Sequence, residues 1–260
     1  MINWIAAFAL SLCSICLPFQ DKSKEEKKQN PYSSATSFSA LLTSGNTRDF
    51  SFSMDTVQNL ALDNHIFKMT GQIIYARSNG ERKSEIYNAS LHYNLHLNKR
   101  MYFLLLSRFS RNVPSGHNFR FAFSSGAGYS WLARLKINAA TEIAFGWSSE
   151  NNAEKLAQQV MGGKIMTIQS NVSSSFVSSI LTTKLDYHLS SSTEFVLQET
   201  LFLDLRQFQR YRLYSYASLS AAINKHFALK TSIQVTYENM PPPGFLNTDL
   251  FLLSSIVFKI

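Results

Sequence analysis

Residues 87 to 97 read YNASLHYNLHL. Tyr87, Ala89, Leu91, Tyr93, Leu95 and Leu97 take one set of alternate positions, and Asn88, Ser90, His92, Asn94 and His96 take the other. Successive side chains of an extended strand point to opposite faces, so one face of this segment avoids water and the other seeks it. A helix of the same residues would scatter both sets around its circumference. Asn98-Lys99 follows as a turn, and Asn79-Gly80 precedes it, a pair that tolerates the positive φ of a tight hairpin. A strand of this kind needs neighbours, and their pattern decides what wall they build.

The pattern recurs. Twelve alternating segments run from residue 33 to residue 260, at about 33–43, 48–61, 65–77, 82–97, 101–112, 118–131, 135–149, 170–189, 193–204, 211–223, 227–238 and 247–260. The sixth puts Phe119, Phe121, Phe123, Tyr129 and Trp131 on one face, and the seventh Ile143, Phe145 and Trp147. The fifth is apolar on both. Residues 151–164, NNAEKLAQQVMGGK, break the alternation and read as an external loop with room for a short helix.

Connections of unequal length separate a membrane barrel from a soluble sandwich. Alternate connections at 63–64, 97–100, 132–134, 190–192 and 224–226 are a few residues long. Those between them, including SGNTR at 44–48, the stretch 149–169 and NMPPPGFLN at 239–247, are mostly longer. Short turns at one end and long loops at the other, with an even strand count, characterise bacterial outer-membrane barrels. A β-sandwich has no need of that asymmetry. Composition agrees: only 16% of the 260 residues are charged, while 13% are aromatic. The fold expected is all-β, an antiparallel transmembrane β-barrel of about twelve strands after an N-terminal signal peptide.

Residues 1–16 form that signal peptide, an apolar run from Trp4 to Leu17 too short to span a bilayer comfortably. Cys13 and Cys16 both lie in this leader, so their CxxC spacing does not read as a metal or redox motif. Residues 17–32 carry DKSKEEKKQNP and read as a charged, flexible periplasmic segment, leaving 33–260 for the barrel. The formal charge of +8 suits outer-membrane lipid or lipopolysaccharide as a partner. Without a compact basic block interleaved with aromatics, no nucleic acid is expected.

The polar faces supply candidate lumen-lining residues: Lys68, His92, His96, Arg120, Glu142, Lys184, Asp186, Arg212, Lys230 and Glu238. A wall of mixed sign can pair across the lumen and close it, or stay open with a mild preference for anions. His92 and His96 share a face, but strand rise separates them by roughly 13 Å, too far to share a metal. No catalytic set, metal or cofactor is expected. A lipid-modifying hydrolase ranks last, because no Ser, His and carboxylate come together in the sequence.

The loop before the last segment holds Pro241, Pro242, Pro243 and Gly244, which do not sit inside a sheet, followed by Thr248-Asp249. Together with SGNTR at 44–48 and HYNLHLNKRMYFLLLSRFSRN at 92–112, this region resembles the family of salt-induced outer-membrane proteins catalogued as domain of unknown function 481. The resemblance implies a barrel in the bacterial outer membrane, envelope-related and of unassigned activity, with no catalytic residues to carry over. The alternating end, with Ile256, Phe258 and Ile260, resembles the signal read by the barrel-assembly machinery, although Ile260 stands where most such proteins have an aromatic residue. A monomer is expected.

Overall fold

A computed structural model describes residues 31–42, 49–79, 81–161 and 164–260. Among these residues twelve strands form a closed barrel, each antiparallel to its sequence neighbours. They are β1 (Tyr32–Leu42), β2 (Asp49–Leu62), β3 (His65–Ser78), β4 (Glu81–His96), β5 (Met101–Asn112), β6 (His117–Ala133), β7 (Ile137–Met161), β8 (Lys164–His188), β9 (Thr193–Asp204), β10 (Tyr211–Ala222), β11 (Phe227–Glu238) and β12 (Thr248–Lys259). β1 closes on β12 with Phe38 opposite Ile256, and the backbones of Ser34 and Ile260 exchange hydrogen bonds of 3.1 and 2.9 Å. Closure leaves no unpaired edge, the condition for strands to cross lipid. The expected leader, the charged segment up to residue 30 and the SGNTR turn lie outside the described residues.

The outer wall is apolar. Leu91, Phe123, Phe145, Trp147 and Leu252 are all exposed on it. An apolar surface encircling the barrel far exceeds the patches that water-soluble proteins tolerate, and strands of eleven or more residues are long enough to cross a bilayer tilted. The barrel is a transmembrane one.

The short turns are closed by side chains. Asn98 Oδ1 accepts from the backbone N–H groups of Arg100 and Met101 at 2.9 and 2.8 Å. Asn224 Oδ1 accepts from His226 and Phe227, both at 2.9 Å, and Ser190 Oγ from Ser192 and Thr193 at 3.2 and 3.0 Å. Asn and Ser are placed here because they satisfy backbone donors that a short reversal leaves orphaned.

One expectation is corrected. Among the described residues the stretch 151–164 holds no helix: β7 and β8 run 25 residues each, and their pairing continues to Met161 opposite Lys164. The ladder breaks register once, between Lys155 and Ala157. Alternation is required only where one face meets lipid or a core; beyond the membrane, ladder hydrogen bonds sustain a hairpin of any polarity.

The interior is not the uniformly polar lumen that the alternation suggests. Tyr102, Leu104 and Leu106 of β5 cluster with Ala144 of β7, Phe176 and Ile180 of β8 and Phe202 of β9, all buried, with Tyr214 of β10 packed against them. Beside this cluster β6 and β7 meet in a tight corner, where Gly126 pairs with Ala144. A Cβ at Gly126 would lie 1.9 Å from the Ile143 carbonyl oxygen, and one at Gly146 2.0 Å from that of Phe123. Only glycine permits backbones to approach so closely. At Gly128 the space of a side chain is filled by the Tyr102 ring, whose hydroxyl donates to Glu142 Oε1 at 2.9 Å.

Candidate functional site: a charge network across the barrel

At the long-loop end, β6 begins after a 3-10 turn (Val113–Ser115) and β11 ends in the proline-rich loop. Glu238, the last residue of β11, accepts from Arg120 Nη2 of β6 at 2.9 and 2.8 Å, and lies 2.8 Å from His117 Nε2. The two strands stand five places apart around the ring, so these bonds cross the interior. His117 Nδ1 lies 2.7 Å from Asn152 Oδ1, which fixes the ring from its other side.

Glu150 of β7 is the second centre. It pairs with Arg212 of β10 in a direct hydrogen bond, with Arg120 Nε at 3.6 Å and with Arg210 Nη2 at 3.4 Å. Arg212 Nε also stands 3.6 Å from Glu238, so the two carboxylates and three guanidiniums form one connected set. His117, Glu150, Arg212 and Glu238 are each no more than 5% exposed. Charges withdrawn from water to this degree need partners, and each carboxylate here has more than one cation.

The network is tied to the apolar cluster beneath it. The Arg212 guanidinium sits 4.4 Å from the centre of the Phe202 ring, and Arg210 is 5.5 Å from that of Phe176. A small interior space between Arg108, Ser110, Tyr214 and the network remains. In it Arg108 makes no hydrogen bond or ion pair with the described residues.

The proline-rich loop holds this arrangement in place. Phe245 N–H donates to the Pro242 carbonyl at 3.1 Å, with Pro243 and the left-handed Gly244 (φ 84°) between them. Proline followed by glycine at the centre of a reversal is the signature of a type II turn. The turn lays the Phe245 ring over Gly116, where a Cβ would stand 2.7 Å from it. Gly116 has φ of 81° and caps the 3-10 turn. Asn247 Nδ2 donates to the Glu238 carbonyl at 2.9 Å, and Glu238 N–H to the Asn247 carbonyl at 2.8 Å. Asp249 then accepts from the Ser115 hydroxyl on the opposite side of the barrel mouth. The loop is a latch over the network.

The residues singled out from sequence fall into groups. Arg120, Arg212 and Glu238 meet in the network. Glu142 and Lys184 form a second pair nearer the short turns, with Lys184 Nζ 3.1 Å from Glu142 Oε1. Lys68 lies in electrostatic range of Lys184, Glu142 and Asp186, and His92 in range of Lys184 and Lys68. The His96 ring packs 5.1 Å from that of Tyr102. Lys230 stands apart and donates to Ser37 Oγ at 3.1 Å. Of the terminal signature, Thr248 pairs with Tyr237, Phe258 packs its ring 5.5 Å from Phe227, and Ile260 joins β1. Pro241 begins the latch and lies outside the strands.

Sequence reasoning missed Glu150, Asn152 and His117. Glu150 and Asn152 continue the inward parity of Ser148 beyond residue 149, where the seventh alternating segment ends, and that parity was the available signal. His117 sits just before a register shift between His117 and Phe119, which hides its face from simple counting.

Residues 36–260 match the model of a family described as "Protein of unknown function, DUF481". No curated protein matches the sequence. Among solved structures the chain is similar to the NanC porin, at 12% identity and TM-score 0.45, covering 87% of this chain and 96% of that one. It is also similar to the KdgM porin, at 7% identity and TM-score 0.39 over 88% and 96% of the two chains. A third is the translocator domain of the autotransporter NalP from Neisseria meningitidis, at 8% identity and TM-score 0.41 over 90% and 89%. At these values the likenesses carry no argument about what passes through the protein or binds to it.

Proposed function

This chain belongs to that family of unassigned activity, and we propose that it is a bacterial outer-membrane barrel whose lumen is closed at the long-loop end, serving the envelope as a non-enzymatic protein. The observation that carries the reading is the bond from Glu238 to Arg120 and His117 across the interior. A twelve-stranded ring has the circumference to enclose an aqueous path. Here the glycine corner, the apolar cluster and the buried network occupy that space instead.

A second reading has its own support. Arg108, Arg120, Arg210 and Arg212 outnumber Glu150 and Glu238 around the network, so an opened path would favour small anions. In this reading the latch is a gate rather than a permanent closure. Under both readings the protein is inserted as a monomer by the barrel-assembly machinery, with the long loops facing outward.

Three measurements test the proposal. The protein fractionates with the outer membrane and migrates differently on gels when boiled and unboiled. Liposomes carrying it do not swell in small sugars. Recovery from the periplasm without detergent sinks the barrel reading, and rapid swelling sinks the closed lumen while leaving the barrel in place.

A further inference from the structure

The outer wall is not uniformly convex. Across β2 to β6, on the half nearer the short turns, it holds a groove of about 420 Å³ lined by Phe67, Met69, Leu91, Tyr93, Leu105 and Phe123. Its floor is Ser107, which stands in register between Leu91 on β4 and Phe123 on β6. A small side chain between two large ones leaves a channel along the strand direction. Of the strands beneath it, β4 and β5 lead to a turn carrying Lys99 and Arg100, β2 and β3 to a turn carrying Asp63, and β6 leads to one carrying Arg134 and Lys136, so the cations there outnumber the single acid.

Arg100 is directed to the same outer face. Its Nη1 donates to the Tyr129 hydroxyl at 3.3 Å, and the Tyr129 ring meets that of Trp131 edge-on at 4.8 Å. Tyr and Trp rings of this kind gather at the headgroup level of a membrane. Ser107 lies six residues along β5 from Met101, the residue that follows this turn, roughly 20 Å along the strand and about 14 Å in depth at a tilt of about 45°. That is about half of the roughly 30 Å hydrocarbon core, the depth an acyl chain reaches from its own headgroup.

We propose that this face binds one anionic phospholipid of the leaflet at the short-turn end, its phosphate at Lys99 and Arg100 and an acyl chain in the groove above Ser107. The cationic turns select the headgroup by charge, and the groove holds the chain by burying apolar surface. The inference rests on the membrane-spanning reading of the barrel.

The test offers the full chain, purified in detergent, equimolar phosphatidylglycerol and phosphatidylcholine, and counts retained lipids by native mass spectrometry. The wild type retains phosphatidylglycerol preferentially. Replacing Lys99 and Arg100 by Gln lowers that preference by about fivefold for each charge removed. Ser107→Trp fills the groove and lowers phosphatidylglycerol retention with the charge unchanged. Lys225→Gln, in a turn on another part of the ring, leaves both results as in the wild type. Equal retention of the two lipids by the wild type, which needs no variant to fold, overturns the inference. So does a preference that survives both the Gln pair and Ser107→Trp in heat-modifiable protein. If the wild type is soluble without detergent and retains no lipid, the membrane-spanning reading itself has failed.

Discussion

Glu238 and Arg120 are 118 residues apart in sequence and on strands five places apart in the ring, yet Arg120 Nη2 reaches both carboxylate oxygens of Glu238 at 2.9 and 2.8 Å. Charge-assisted bonds are stronger than neutral ones, and stronger still where water is excluded. Their main effect here is on shape: they fix the distance between two walls that a barrel would otherwise hold apart.

Removing one side of such a pair leaves the other buried and unpaired. Glu238→Ala leaves Arg120 only its longer contact with Glu150 and His117 only Asn152, and is expected to lower the unfolding free energy by roughly 3–5 kcal/mol. Urea titration in detergent, followed by the gel-mobility shift, measures this. A change within error of zero would mean that water already reaches the network.

The latch is tested at Gly116. Gly116→Val adds a branched side chain at φ of 81° where Phe245 leaves no room, and should cost roughly 1–3 kcal/mol from the backbone alone. Combined with Phe245→Ala, the loss should be smaller than the sum of the two single effects. Strict additivity would show that the ring and the glycine do not meet.

The corner between β6 and β7 depends on Gly146, where a Cβ would fall 2.0 Å from the Phe123 carbonyl oxygen. Gly146→Val is expected to prevent assembly of the heat-modifiable form. Normal assembly would show that the strands can part there.

The two faces of β4 predict opposite tolerances. Leu91 is 59% exposed on the outer wall, where Arg costs roughly 2–4 kcal/mol at mid-membrane depth. Asn94 shares the inward parity of His92, so Asn94→Arg should assemble far better than Leu91→Arg. The reverse ranking, read from the yield of folded protein, would invert the assigned faces.

The strands and turns were legible in sequence because lipid imposes alternation and short reversals demand particular residues. β4, with its strict period of two, is the plainest case, and Asn98 and Asn224 mark their turns. The filling of the interior was not legible. Leu104 and Leu106 make the inner face of β5 apolar, but alternation alone does not say which inner faces will cluster. Likewise Arg120, Arg212 and Glu238 could be placed on inner faces one by one. Alternation shows neither their meeting nor the close packing at Gly126 and Gly146, where two backbones approach, and at Gly128, where the Tyr102 ring takes the space of a side chain. The extension of β7 past Ser149 was hidden for a different reason: outside the membrane the ladder persists without any pattern in its side chains.

The central claim is that the Glu238 network and its latch close the lumen, and single-channel recording in planar bilayers tests it most directly. The wild type should give little or no steady conductance, and Glu238→Ala, assayed as heat-modifiable protein, should give larger and longer openings favouring anions. Large, steady conductance in the wild type, unchanged in Glu238→Ala, would contradict the account.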